Sequence, residues 1–306
     1  MTGGAREVWS GGVNTWECDV NAHMNVRFHV AKSMEALASL VAELGLPHAF
    51  SRHTHTTLRV KEQYIRFLKE AHAGASLYAT GGVIEVGETE ARLLLVSHHL
   101  TGEPAATLQV LVEHVGAEED RPIPWPAEFR QRAEAWRAEI PAHAAARTLT
   151  LEPFQTTASR ERAQALDLER IALTALLERD CDHFGRLRPE GFIGRIGDGM
   201  PRLLRRDPPR AASGERREGG AVLEYRIVHL RTPRLGDRIE IRAGVAEVTA
   251  RYRRTVHWML NPDAPEPWGV ATSVAVGLDL KARKMLVLTP EEVAERQVEV
   301  TPGLAI

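Results

Sequence analysis

The densest concentration of chemically capable side chains is the run Trp16-Glu-Cys-Asp-Val-Asn-Ala-His-Met-Asn25. Asp19, Asn21, His23 and Asn25 alternate with Cys18, Val20, Ala22 and Met24, so an extended backbone would turn all four polar groups to one side. A carboxylate, an imidazole and two amides gathered in this way can take a proton from water and orient a carbonyl group. Capping of a following helix would occupy one or two of them, since Asp and Asn commonly accept from free N–H groups at a helix start. A carboxylate, an imidazole and an amide would remain unexplained. A helix N-terminus also supplies N–H groups and a dipole that can stabilise an oxyanion. The pattern points to a hydrolytic or acid–base site.

Other clusters carry less. His53 and His55, and the pair His98-His99, have no cysteine or carboxylate companions at zinc spacing, so no metal is expected. Asp182-His183 is an adjacent pair whose side chains diverge on an extended backbone, and it reads as solvated loop. Arg202, Arg205, Arg206 and Arg210 form a basic cluster suited either to a solvated face or to a bound phosphate. No glycine-rich phosphate loop, nucleophile elbow or dinucleotide fingerprint follows a strand, which excludes an α/β-hydrolase.

The elements that must hold the first run follow directly. Val30, Met34, Leu37, Val41 and Leu44 recur at helical spacing, and Gly45 with Pro47 supplies a stop, predicting a helix over Asn25–Leu44. Leu58–Leu68, Ala75–Val86, Ala91–Leu100 and Ala105–Val115 are extended runs separated by turn residues. One helix followed by a strand meander predicts an α+β plan, an antiparallel sheet wrapped around the helix. Arg121-Pro-Ile-Pro-Trp-Pro126 cannot be a central strand, and a short helix is expected over Ala127–Ile140.

The plan then recurs. Ile227–Ile241 can be laid on Ile65–Ala79 with Gly236 on Gly74, an offset of 162, which becomes 165 beyond the loop Asn261–Trp268. A second core helix is expected over Ile193–Leu204, preceded by a helical stretch Arg160–Arg179 without counterpart in the first half. Domains of 1–116 and 149–306 joined by a linker 117–148 result.

Composition agrees with a globular chain. Its 306 residues carry 39 Lys and Arg against 41 Asp and Glu, which offers no broad attraction to nucleic acid or an anionic membrane. Two cysteines cannot build a disulfide framework, and no apolar stretch approaches a membrane span of about 18 residues. The N-terminus lacks the apolar region of a signal peptide, so a cytoplasmic location is expected.

The run Asp19-Val-Asn-Ala-His-Met-Asn25, leading into a long helix and a strand meander, resembles the hotdog-fold thioesterases. It is similar both to the 4-hydroxybenzoyl-CoA thioesterase-like branch and to the plant acyl-carrier-protein thioesterases, whose Asp-x-Asn-x-His-x-Asn pattern it has without a gap. The resemblance spans most of residues 5–115 and, loosely, 185–290. It implies a double hotdog acting on an acyl-CoA or acyl-ACP thioester in fatty acid metabolism, without a cofactor, as a monomeric pseudo-dimer or a homodimer of tandems. It also implies that Asp19 acts as base or nucleophile, with His23 polarising and Asn21 orienting water or the carbonyl. Asn25, Glu70, Arg202 and Arg205 are then candidates for substrate contact. The plant enzymes have a Glu-Cys pair after the central helix, and Glu70-Ala71 is the nearest match. With Met200 laid on Met34, the positions of Asp19, Asn21 and His23 fall on Gly185, Leu187 and Pro189, so the second half is expected to be a degenerate pocket wall. A hotdog enoyl-CoA hydratase would show Asp-x-Asn-Pro-x-His, one residue longer. A non-catalytic acyl-thioester binding protein would not need the polar run.

Overall fold

The computed structural model describes residues 5–204, 218–279, 282 and 284–306. Two compact units divide the chain: Met1–Ala146 with Glu178–Ile193, and Arg147–Leu177 with Gly194–Ile306.

The first unit contains β1 (Arg6–Gly12), α1 (Val26–Glu43), β2 (Thr56–Phe67), β3 (Ser76–Val86), β4 (Glu90–His99), β5 (Pro104–Gly116) and α2 (Ala127–Ala135). Its strands form an antiparallel sheet in the order β1-β3-β4-β5-β2. The Asn25 side chain accepts from the Arg27 N–H to start α1, and Gly45 in the left-handed region (φ +97°) ends it. Val30, Leu37, Leu40 and Val41 form the buried face of α1, which packs on β1, β3, β4 and β5. Each such side chain contributes about 1.5–3 kcal/mol by leaving water. The predicted helix and the four predicted strands are present within two residues of their expected ends. Strand β1 was not anticipated, because Arg6-Glu-Val-Trp-Ser-Gly-Gly12 is short, mostly polar and glycine-ended.

The second unit repeats the plan with β6 (Glu169–Ala175), β7 (Glu218–His229), β8 (Arg238–Val248), β9 (Arg253–Leu260) and β10 (Gly269–Asp279) in the order β6-β8-β9-β10-β7. It also holds α3 (Arg160–Ala165), most of α4 (Gly191–Leu204) and α5 (Pro290–Arg296). Helix α4 lies close on β6: a Cβ at Gly199 would come 2.5 Å from the Ile171 carbonyl oxygen, so this glycine serves helix–sheet packing. The expected helix Arg160–Arg179 is corrected. Asp167 takes φ +47° and ends α3, after which Ile171, Leu173 and Ala175 alternate with polar or small residues as a strand. Helix-favouring Arg, Glu and Ala masked that period of two, and β6 is the counterpart of β1.

Strand ends and register fix the duplication. Both β2/β7 and β3/β8 are related end to end by 162, and a β-bulge falls at Val83–Glu85 and again at Val245–Glu247. The 165 offset is corrected to 163: Leu108 lies opposite Ile65, and Ala271 opposite Ile227. The residues after α2 and α5 return to the same bulge, Arg137 bridging Val83 in parallel and Val300 bridging Val245. The stretch expected as linker therefore contains the closing helix of the first repeat.

Candidate active site

Residues 18–25 do not run extended. Cys18 bridges Met24, the Asp19 N–H donates to the His23 carbonyl (2.8 Å), and the Ala22 N–H donates to the Asp19 carbonyl (3.0 Å). The chain turns through Ala22, which sits in the left-handed region at φ +63°, a strained position for alanine. Asp19 braces this turn: its Oδ1 accepts from the N–H groups of Asn21 (2.8 Å) and His23 (3.2 Å). The expectation that all four polar groups share one face is thus corrected, because side chains diverge around a turn. Asn25 is the cap of α1, the role weighed for one member of the run.

A second layer fixes the loop. The Asn25 N–H donates to the Glu17 carbonyl, while the Glu17 carboxylate accepts from the Asn14 N–H and pairs with Lys32 at 2.9 Å. Burial acts to raise the Glu17 carboxyl, but the Asn14 N–H and the Lys32 ammonium outweigh it and hold the group below its ordinary value. One turn into α1, burial together with neighbouring His99 and Lys32 lowers His29 to about 4, keeping its imidazole neutral.

His23 meets Glu70. The Met24 N–H donates to the Ala71 carbonyl (2.7 Å), His23 bridges His72, and Glu70 precedes His72 by two residues. On extended backbone that spacing puts Glu70 and His72 on one face, opposite His23. His23 Nε2 lies 3.4 Å from Glu70 Oε1, His72 Nε2 lies 3.8 Å from Glu70 Oε2, and the two imidazoles meet edge to face at 5.0 Å. His72 escaped the sequence reading. Its signal was the Glu70-x-His72 alternation immediately after β2.

The remaining candidates separate. Arg202 pairs with Glu169 at 3.1 Å on the second unit, and Arg205 lies outside the described residues. His98 is occupied within its own sheet, its Nε2 3.1 Å from Thr80 Oγ1 and its ring stacked on Tyr78.

A loop of the same build recurs at residues 181–188. Cys181 bridges Leu187, Asp182 Oδ1 accepts from the N–H groups of Phe184 and Arg186 (both 2.9 Å), and Gly185 takes the left-handed position at φ +72°. This places Asp182 on Asp19, Phe184 on Asn21 and Arg186 on His23, correcting the assignment to Gly185, Leu187 and Pro189. Asp182 is no idle loop residue. Arg186 is 4% exposed and donates to Asp120 Oδ1 and to the Ala117 carbonyl, each at 3.2 Å.

Comparison with known proteins bears on the fold and the family. A search of curated proteins found no significant match. Among solved structures the chain is similar to an acyl-ACP thioesterase from Bacteroides thetaiotaomicron (TM-score 0.65, 10% identity, covering 87% of this chain and 96% of that one). It is likewise similar to a 12:0-ACP thioesterase from Umbellularia californica (TM-score 0.67, 9% identity, covering 89% and 93%). At these identities the likeness establishes the fold, an α+β double hotdog. The model of the thioesterase-like superfamily matches twice, over residues 13–133 and 177–297, so that the first match takes in β2 to β5 and the second β7 to β10. The chain belongs to the thioesterase-like superfamily.

Proposed function

We propose that this protein hydrolyses acyl thioesters, of CoA or of acyl carrier protein, to a carboxylic acid and a thiol. The observation that carries the reading is the convergence of His23 on Glu70 across the Met24–Ala71 hydrogen bond, beside the N-terminus of α1. Glu70 accepts a proton from water as the water oxygen attacks the thioester carbonyl. His23 Nε2 holds the carboxylate in orientation. The positive end of α1 stabilises the negative charge that develops on the carbonyl oxygen, and Asn21 keeps the orienting role expected of it. Collapse of the tetrahedral intermediate expels the thiolate, which takes the proton back from Glu70. Asp19 was expected to be the base or nucleophile, but its Oδ1 already accepts two backbone N–H groups, which supports a positioning role for it.

One competent site per chain follows, since the second loop has Phe184 and Arg186 where the first has Asn21 and His23. The thioesterase-like family supports hydrolysis over addition of water to an enoyl thioester, and over binding alone. The test is thiol release from a panel of acyl-CoA and acyl-ACP substrates, with product analysis. Hydrolysis of at least one member, lost in Glu70→Gln, is expected. Hydration of an enoyl-CoA without thiol release, or no turnover of any member, overturns the reading.

A further inference from the structure

We propose that His23, Glu70 and His72 form a binding site for a divalent transition-metal ion, zinc by its ligand set. The proposal does not depend on the hydrolase reading, and because zinc would take the Glu70 oxygen and His23 nitrogen assigned there to water activation, the metal-bound form and the base role of Glu70 exclude each other. A ring nitrogen of His23, one oxygen of Glu70 and a ring nitrogen of His72 all lie within 4.8 Å of one another. Two donors about 2.05 Å from a tetrahedral zinc stand about 3.3 Å apart, so small side-chain rotations bring the three together. The backbone does not have to move, because the Met24 N–H to Ala71 carbonyl bond and the His23–His72 bridge already set the ligands facing each other.

A second observation points the same way. His72 Nδ1 lies 3.0 Å from the Ala22 carbonyl oxygen, which can only accept, so Nδ1 carries the hydrogen. In the tautomer so selected, Nε2 is the nitrogen available for a metal, on the side of the ring toward Glu70. Metal-ligating histidines characteristically donate their other ring N–H to a backbone carbonyl or carboxylate, which fixes tautomer and ring orientation. The left-handed turn at Ala22 is what aims that carbonyl. Two imidazoles and one carboxylate favour zinc over magnesium or calcium, which prefer all-oxygen shells. The three side chains are 17%, 35% and 51% exposed, which leaves the fourth position open to water.

The experiment is a titration of the metal-free protein with Zn²⁺ against a chromophoric chelator, with Mg²⁺ as the hard-ion control. One equivalent per chain is expected to bind in the micromolar range or tighter, with no competition from millimolar Mg²⁺. His72→Ala and Glu70→Gln should each weaken that binding at least about 100-fold, consistent with loss of a ligand in a three-ligand site. Unchanged melting temperatures identify variants that still fold. A double variant His53→Ala/His55→Ala should bind as the parent does. The proposal is overturned by absence of stoichiometric Zn²⁺ binding, by retention of binding in folded His72→Ala, or by its loss in the His53/His55 variant. Because binding is read without substrate, failure here leaves thiol release by the same protein a separate question.

Discussion

In the loop 18–25 the turn is braced by Asp19 and delivers His23 to Glu70; in the loop 181–188 the turn is braced by Asp182 and delivers Arg186 to Asp120 and the Ala117 carbonyl. Both copies keep the Cys-Asp pair, the two N–H bonds to the carboxylate and a left-handed residue three places after the aspartate. Every residue after the aspartate differs, and the differences that change chemistry most are at the second and fourth positions, where Asn21 and His23 give way to Phe184 and Arg186. What the duplicated copies share is what the backbone requires, and what they do not share is where the proposed chemistry would reside in one copy and be missing from the other. On the function proposed above, this comparison assigns Asp19 to the architecture and His23 with Glu70 to the reaction.

The largest effects should come from erasing the difference. Glu70→Gln keeps shape and hydrogen-bonding reach but removes the base, and kcat should fall at least about 10²-fold. His23→Arg, which copies the second loop into the first, should fall as far. Retention of near-parental turnover by either variant breaks the division of roles proposed here.

The reverse substitution tests the other loop. Arg186→Ala takes one guanidinium from Asp120, whose pairing with Arg59 at 3.2 Å remains, and should cost about 3 kcal/mol of unfolding free energy. Denaturant unfolding measures it. Arg186→His should not create a second active centre, since the position matching Glu70 is Thr232, which has no carboxylate.

Besides His29 on α1 of the first repeat, the second repeat has an acid-sensitive buried histidine at a strand position where the first has none. His257 of β9 is fully buried, with Nε2 3.3 Å from both Tyr225 Oη and Ser273 Oγ, whereas the matching residue of β4 is Leu95. Burial lowers His257 from 6.5 to about 3, so the unfolded chain takes up its proton first as pH falls. Stability is then lost between about pH 6.5 and pH 3 at roughly 1.4 kcal/mol per unit for this group. His257→Leu should flatten that slope, at a cost near neutral pH of about 1–3 kcal/mol for Tyr225 and Ser273 losing a partner. An unchanged slope refutes the assignment.

The smallest effects sharpen the role of the aspartates. Asp19→Ala and Asp182→Ala each remove one acceptor for two N–H groups and should cost similar stability, about 1 kcal/mol per bond. Asp19→Asn keeps an acceptor oxygen and should turn over within about tenfold of the parent. A loss in Asp19→Asn as deep as that of Glu70→Gln returns Asp19 to the base role.

Much of this was legible beforehand because it rests on local period and spacing. Helix α1 announced itself through Val30, Leu37 and Val41, and strands β2 to β5 through turn residues at hairpin intervals. The polar run named the loop that holds His23, and His23 lies in the side-chain cluster that loop builds. What escaped depends on long-range pairing. Glu70 and His72 join His23 only through a bridge between segments far apart in the chain, and nothing in either segment alone states it. The second loop was misplaced because the alignment was carried through the helices, where α4 starts later than α1. The better marker was present: the chain's two cysteines, each followed by aspartate, stand 163 residues apart. Strand β6 was lost because a single alternating run of Ile, Leu and Ala competes poorly with the helix propensity of its neighbours.

The placement of Glu178–Ile193 in the first unit has a consequence for synthesis on the ribosome. Units generally fold as they emerge, the N-terminal one first. Here the chain reaches Ala146 with the first sheet, α1 and α2 complete, yet Asp120 and the Ala117 carbonyl still wait for the guanidinium of Arg186, well downstream in translation. The nascent first unit can close its sheet but not its charge network until residue 186 has left the exit tunnel. A ribosome stalled before that point should therefore display a protease-sensitive Asp120 turn that becomes protected once Arg186 arrives.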